Sequence, residues 1–145
     1  MNWKPEAVEK LRQYEAKKNS LLSIPDEIAR LESATTSIRS ATSDGTPVAG
    51  GGSCREDMLL NNIVLREELE RSLEQAKKWV ALVNAGLEIL SAEERLILDR
   101  CYIHPERGAV DRLAGELGVD VKTVYRRRDA ALRHFTISLY GGVES

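Results

Sequence analysis

The sequence predicts an all-α protein, and three observations point there. Charged residues make up 30% of the 145 and aromatics only 5%, a balance that suits solvated amphipathic helices better than a β sandwich. Apolar residues recur every three or four positions from Leu65 to Leu90, which draws a stripe along one side of a helix. Between Val110 and Phe135, small, glycine and apolar residues fall in the register of two helices joined by a tight turn. The expected architecture is an N-terminal helical hairpin or coiled coil joined to a C-terminal helix-turn-helix domain.

Residues 1–40 are read as N-terminal helices. Pro5 stands at a first helical turn, and Ala7, Leu11, Tyr14 and Leu21 follow at roughly helical spacing. Pro25 is expected to interrupt, with Asp26 and Glu27 placed where acids favour a new N-terminus. A sparser stripe of Ile28, Leu31 and Ile38 then makes a weaker second helix. Residues 41–54 are rich in Gly, Ser and Thr, cannot bury enough apolar surface to offset their ordering entropy, and read as a flexible linker.

Residues 55–90 form a long amphipathic helix whose seam runs through Leu65, Leu69, Leu73, Ala76, Val80, Val83, Leu87 and Leu90. From Leu69 its steps average about 3.5 residues, the coiled-coil period. Gly86 weakens the last heptad, and Trp79 beside the seam reads as a packing anchor. A stripe does not say whose helix it meets. Packing within one chain and a homodimer through the N-terminal helices both stay open.

Charge and chemistry narrow the function. The formal net charge is −2, so the molecule as a whole has no positive field to attract a polyanion. The positive charge is local: Lys122, Arg126, Arg127, Arg128 and Arg133 accompany a single acid, Asp129. Cys54 and Cys101 stand far apart with no ligand-spaced partner, so neither a zinc site nor any other cofactor is expected, and the thiols read as reduced in a cytoplasmic protein. The first residues lack an apolar signal core, and no stretch approaches the roughly 20 apolar residues of a membrane span. Gly50 to Gly52 lack the lysine and helix of a phosphate loop, and no paired carboxylates or Cys-His arrangement stand out, so no enzyme and no catalytic residue is expected.

Ser91-Ala-Glu-Glu94 is a capping box, which starts a helix that continues through Leu96, Ile97, Cys101 and Tyr102 and ends by His104, before Pro105. In 91–140 the helix-turn-helix follows. Ala114 is the small residue where two helices cross, Gly118 allows the left-handed conformation that ends the first, and Leu113, Leu117, Val119 and Val124 close the angle between them. In the second helix Val124, Ala131, Leu132 and Phe135 point inward, leaving Val121, Lys122, Tyr125, Arg126 and Asp129 outward. Lys122 and Arg126 are candidates to donate to guanine O6 and N7 in the major groove of double-stranded DNA. Tyr125 is placed to pack on a thymine methyl or to reach a phosphate. Arg127 and Arg128 flank the inward side, with aliphatic stems on the core and charges directed to water or phosphate. Thr123 and Arg133 read as phosphate contacts.

The stretch from Gly86 to Phe135 resembles region 4 of the sigma-70 family of transcription initiation factors. The elements that carry the likeness are Leu90-Ser91, the acidic first turn Glu93-Glu94, residues 110–128 and the pair Ala131-Leu132. Arg127 and Arg128, at sites usually apolar in that family, are a departure. The size excludes a complete sigma factor with its region 2. The chain more nearly resembles small phage and prophage regulators of late gene transcription, of the ArpU and RinA kind, which append such a module to an N-terminal helical part. The resemblance implies a DNA-binding activator of a phage-type late operon, with RNA polymerase as a further partner. Two rivals stand beside it. One is a small terminase-like packaging subunit. The other is an interaction protein that binds RNA polymerase or a repressor without touching DNA, a reading fed by nine basic against nine acidic residues from Ser91 onward.

Overall fold

A computed structural model of the chain describes residues 3–42 and 51–141, and every regular element among them is helical. The elements are α1 (Trp3–Thr42), α2 (Gly51–Glu88), α3 (Ala92–Leu98) running into a π-helical turn (Asp99–Ile103), α4 (Ala109–Leu117) and α5 (Val121–Tyr140). Helical backbone reaches into the expected linker from both sides, to Thr42 and from Gly51; the rest of that segment, 43–50, lies outside the described residues. Pro25 does not interrupt, because it lies inside α1. An interior proline removes one helical hydrogen bond and costs about 3 kcal/mol. The apolar stripe Leu21, Ile24, Ile28 and Leu31 runs through it unbroken and stays at least half covered, which offsets that cost.

The chain divides into two compact units. The terminal unit joins residues up to Lys17 to those from Lys78 on, and the middle unit is Lys18–Lys77. A division between 90 and 91 is therefore not where compactness falls: the start of α1 and the end of α2 belong with α3, α4 and α5.

In the terminal unit Leu11, Val83, Ile97, Leu98, Leu113, Val124, Leu132 and Phe135 are all fully buried. Burial of each such side chain contributes about 1.5–3 kcal/mol. Gly86 is part of this packing. A Cβ there would stand 3.0 Å from Cε2 of Phe135 and 3.1 Å from Cδ2 of Leu139, so the glycine is what lets α2 approach α5. The Tyr14 hydroxyl donates to Oδ1 of Asn84, joining α1 to α2, and the Lys17 ammonium lies 5.9 Å from the centre of the Trp79 ring. Trp79 thus has a cation on its face.

The middle unit is two long helices and little else. Among its described residues Leu31, Thr35 and Ala76 are buried, and the Thr35 hydroxyl donates back to the Leu31 carbonyl at 2.9 Å. Arg66 of α2 stands 4.0 Å from Glu32 of α1. Leu22, Met58, Leu60, Val64 and Leu65 remain exposed.

Candidate nucleic-acid interface

The Ser91 capping box is present in full: the Glu94 N–H donates to the Ser91 hydroxyl and the Ser91 N–H to the Glu94 carboxylate, each at 3.1 Å. Beyond Leu98 the helix widens, with the His104 N–H reaching the Asp99 carbonyl at 2.7 Å. This π-helical turn buries Tyr102 and Ile103, adjacent residues that an ordinary helix would separate by about 100°.

α4 starts after Gly108 and ends at Gly118, both in the left-handed region with φ of 72° and 68°. At the second, the Val119 N–H turns back to the Ala114 carbonyl at 3.1 Å, the bond of a Schellman close. Asp120 then caps α5, its carboxylate accepting from the Thr123 N–H at 2.8 Å. Hydrogen bonds from the Thr123 side chain and then its backbone hold the Asp120 carboxyl below its ordinary pKa. The apolar sites behave as their spacing requires: Ile97, Leu113, Ala114 and Val124 form one cluster, with Leu117 and Val119 packed against it. Ala131, Leu132 and Phe135 continue the buried side of α5.

On the other side of α5, Val121, Lys122, Tyr125, Arg126, Asp129 and Arg133 are exposed. Among the described residues neither Lys122, Arg126 nor Arg133 enters an ion pair. Their angular positions, at 100° per residue, fall within about 40° of one another. This places three cations on one strip with Tyr125 beside it. Asp129 lies on the same strip and pairs with Lys4 of α1 at 2.9 Å, so its charge is matched from within the unit.

The remaining candidates are held differently. The Thr123 side chain is half-buried in the cap. Arg127 donates to the Glu93 carboxylate on α3 at 2.5 Å. Arg128 lies between two rings, its guanidinium carbon 4.8 Å from the centre of Tyr125 and 5.5 Å from that of Tyr102. Its Nε is buried without a hydrogen-bond partner, and the Cys101 thiol is beside it. Burial pushes that thiol's pKa up, against the opposing effect of Arg128. The expectation that both charges turn outward thus meets a local answer: each arginine at a formally apolar site has a partner inside the unit, a carboxylate for one and a pair of rings for the other.

Three further contacts were not anticipated. His134 of α5 approaches the Glu94 carboxylate at 2.5 Å. Burial raises the Glu94 pKa, but hydrogen bonds from His134 and Ser91 outweigh it and hold the carboxyl below its ordinary range. His104 bridges Asp99 at 2.8 Å and Glu15 of α1 at 3.0 Å. The Lys10 ammonium sits 5.8 Å from the ring centre of Tyr140. The α1 residues of these contacts carried no signal in the sequence beyond an ordinary amphipathic pattern.

No group of three His, Cys, Asp or Glu residues among the described ones is placed to hold a metal ion, and no described helix is long and apolar enough to cross a membrane. No family model matches the chain, no curated protein matches it, and no solved structure matches it.

Proposed function

We propose that α4 and α5 are the two helices of a DNA-binding helix-turn-helix and that the protein is a sequence-specific transcriptional regulator, an activator of a phage-type late operon. The observation that carries the reading is the strip of Lys122, Arg126 and Arg133, exposed and without intramolecular ion pairs among the described residues, on a helix whose opposite side carries the fully buried Val124, Ala131 and Phe135. A cationic strip beside a half-exposed tyrosine suits the major groove, where guanine offers two acceptors and thymine a methyl group. Fixing α5 by Gly118, the Asp120 cap and a fully buried inner face costs little ordering entropy on binding. The middle unit supports a homodimer: two helices leave Met58, Leu60, Val64 and Leu65 uncovered, and a second copy packed on α2 would cover part of this apolar surface. A two-fold dimer would present two such modules to a palindromic site.

The full chain should shift duplex DNA from its own upstream region, with an apparent affinity that falls steeply as salt rises. Arg126→Ala should cost about 1–3 kcal/mol at a single base pair, whereas Arg133→Ala should weaken all duplexes alike and reduce the salt slope by about 1. Equal losses on specific and random duplexes for both variants would refute these roles. A second reading, docking to a protein such as RNA polymerase, is favoured by the exposed side chains of Ile89 and Ile137, which line an apolar groove with Leu90. In that case no salt-dependent shift would appear.

A further inference from the structure

The sequence reading directs the Arg128 charge to water or phosphate, but its surroundings give it another task. Its guanidinium lies over the ring of Tyr102, which is buried, and over that of Tyr125, which is half exposed on the outward side of α5. Both distances lie within the roughly 6 Å over which a cation and a ring face attract. Its Nε is buried without a hydrogen-bond partner, and the Cys101 thiol lies beside the guanidinium. Tyr102 lies buried within the π-helical turn, so this irregular turn, the arginine and the exposed ring form one chain of contacts. One face of Tyr125 is therefore occupied. The residue remains 46% exposed, beside the strip that carries Lys122 and Arg126.

Resting on the DNA-binding reading above, we infer that Arg128 is a positioning residue: clamped on Tyr102, it holds the Tyr125 ring so that its free face packs on the 5-methyl group of one thymine. A phosphate contact and a ring clamp make opposite demands on the side chain. A lysine serves a phosphate as a point charge, but it lacks the planar guanidinium that stacks on two rings.

The test uses the full chain and duplexes selected by it from a randomised pool, with each thymine replaced in turn by deoxyuridine, which differs only by the missing methyl. Wild-type protein should lose affinity by about fourfold at one thymine, the value of one buried methyl group. Arg128→Lys should bind the parent duplex about fourfold more weakly, no longer distinguish the two bases at that position, and keep the wild-type salt slope. Tyr102→Leu should reproduce that pattern by removing the other side of the clamp. Near-wild-type binding and methyl discrimination by Arg128→Lys or by Tyr102→Leu would overturn the inference, as would a salt slope lowered by about 1 in Arg128→Met with discrimination retained, the mark of a phosphate contact. If wild-type protein binds a selected duplex but no deoxyuridine substitution matters, the thymine contact fails while DNA binding stands. If no duplex is selected, the DNA-binding reading itself fails and this inference with it.

Discussion

The terminal unit closes five helical segments around Leu98, Leu113, Leu132 and Phe135, while the middle unit, with longer helices, buries only Leu31, Thr35 and Ala76 among its described residues. Helix length is therefore not what makes a core here. Two helices in contact each keep more than one side open, and only further layers remove that surface from water. In the terminal unit α3, α4 and α5 supply them, and the rigid platform that results holds the outward strip of α5. In the middle unit α2 keeps Met58, Leu60, Val64 and Leu65 uncovered.

This contrast can be broken first by truncation. Phe135→Ala should destabilise the terminal unit by about 3–5 kcal/mol, and Leu31→Ala the middle unit by about 2 kcal/mol, because a less enclosed site collapses around the loss more easily. Denaturant titrations at several protein concentrations should show a midpoint that rises with concentration for the middle unit, as mass action on a dimer requires. A loss at Leu31 as large as at Phe135, with no concentration dependence, would erase the distinction.

Gly86→Ala sharpens it. In an open helix the change would gain about 1 kcal/mol of helix propensity. Against Phe135 and Leu139 the new Cβ would meet atoms at 3.0 and 3.1 Å, and Phe135 is fully buried with no room to withdraw. Overpacking costs about 1–3 kcal/mol, so a net loss of about 1 kcal/mol is expected in thermal unfolding. A gain in stability would show that α2 and α5 are less tightly apposed.

The smallest effect expected is at His104. Its hydrogen bond to Asp99 raises its pKa, against slight desolvation, and the Glu15 carboxylate adds to the rise. With the folded value above the unfolded one, this contribution is fully present below the ordinary histidine pKa of 6.5 and is lost as pH rises through the folded value. The group is 58% exposed, so the contribution is only about 0.5 kcal/mol. His104→Gln should flatten the fall in stability above pH 6.5; an unchanged pH profile would show that the bridge to α1 adds nothing.

Local chemistry was legible in the sequence where a residue's own conformation or cap decided the outcome. Gly118 and the Ser91 box lie where their backbone and hydrogen-bonding requirements put them, and the inward set on α5 follows from a period of about 3.6 residues. Pro25 misled because a continuous apolar stripe outweighed one local penalty. Long-range partners were not legible. Lys4 with Asp129, Glu93 with Arg127 and Gly86 against Phe135 each join segments far apart in the chain, and periodicity within one helix says nothing of its neighbours. The one available signal was the pair of arginines at inward sites of α5, since a cation at such a site requires a partner.

The most direct test of the central claim is an NMR titration of the full chain with a duplex it selects, following the backbone amides of each helix. The account predicts the largest shifts at Val121, Lys122, Tyr125 and Arg126, growing with duplex and reversed by salt. Shifts confined to the surroundings of Ile89 and Ile137, or none at any helix, would contradict it.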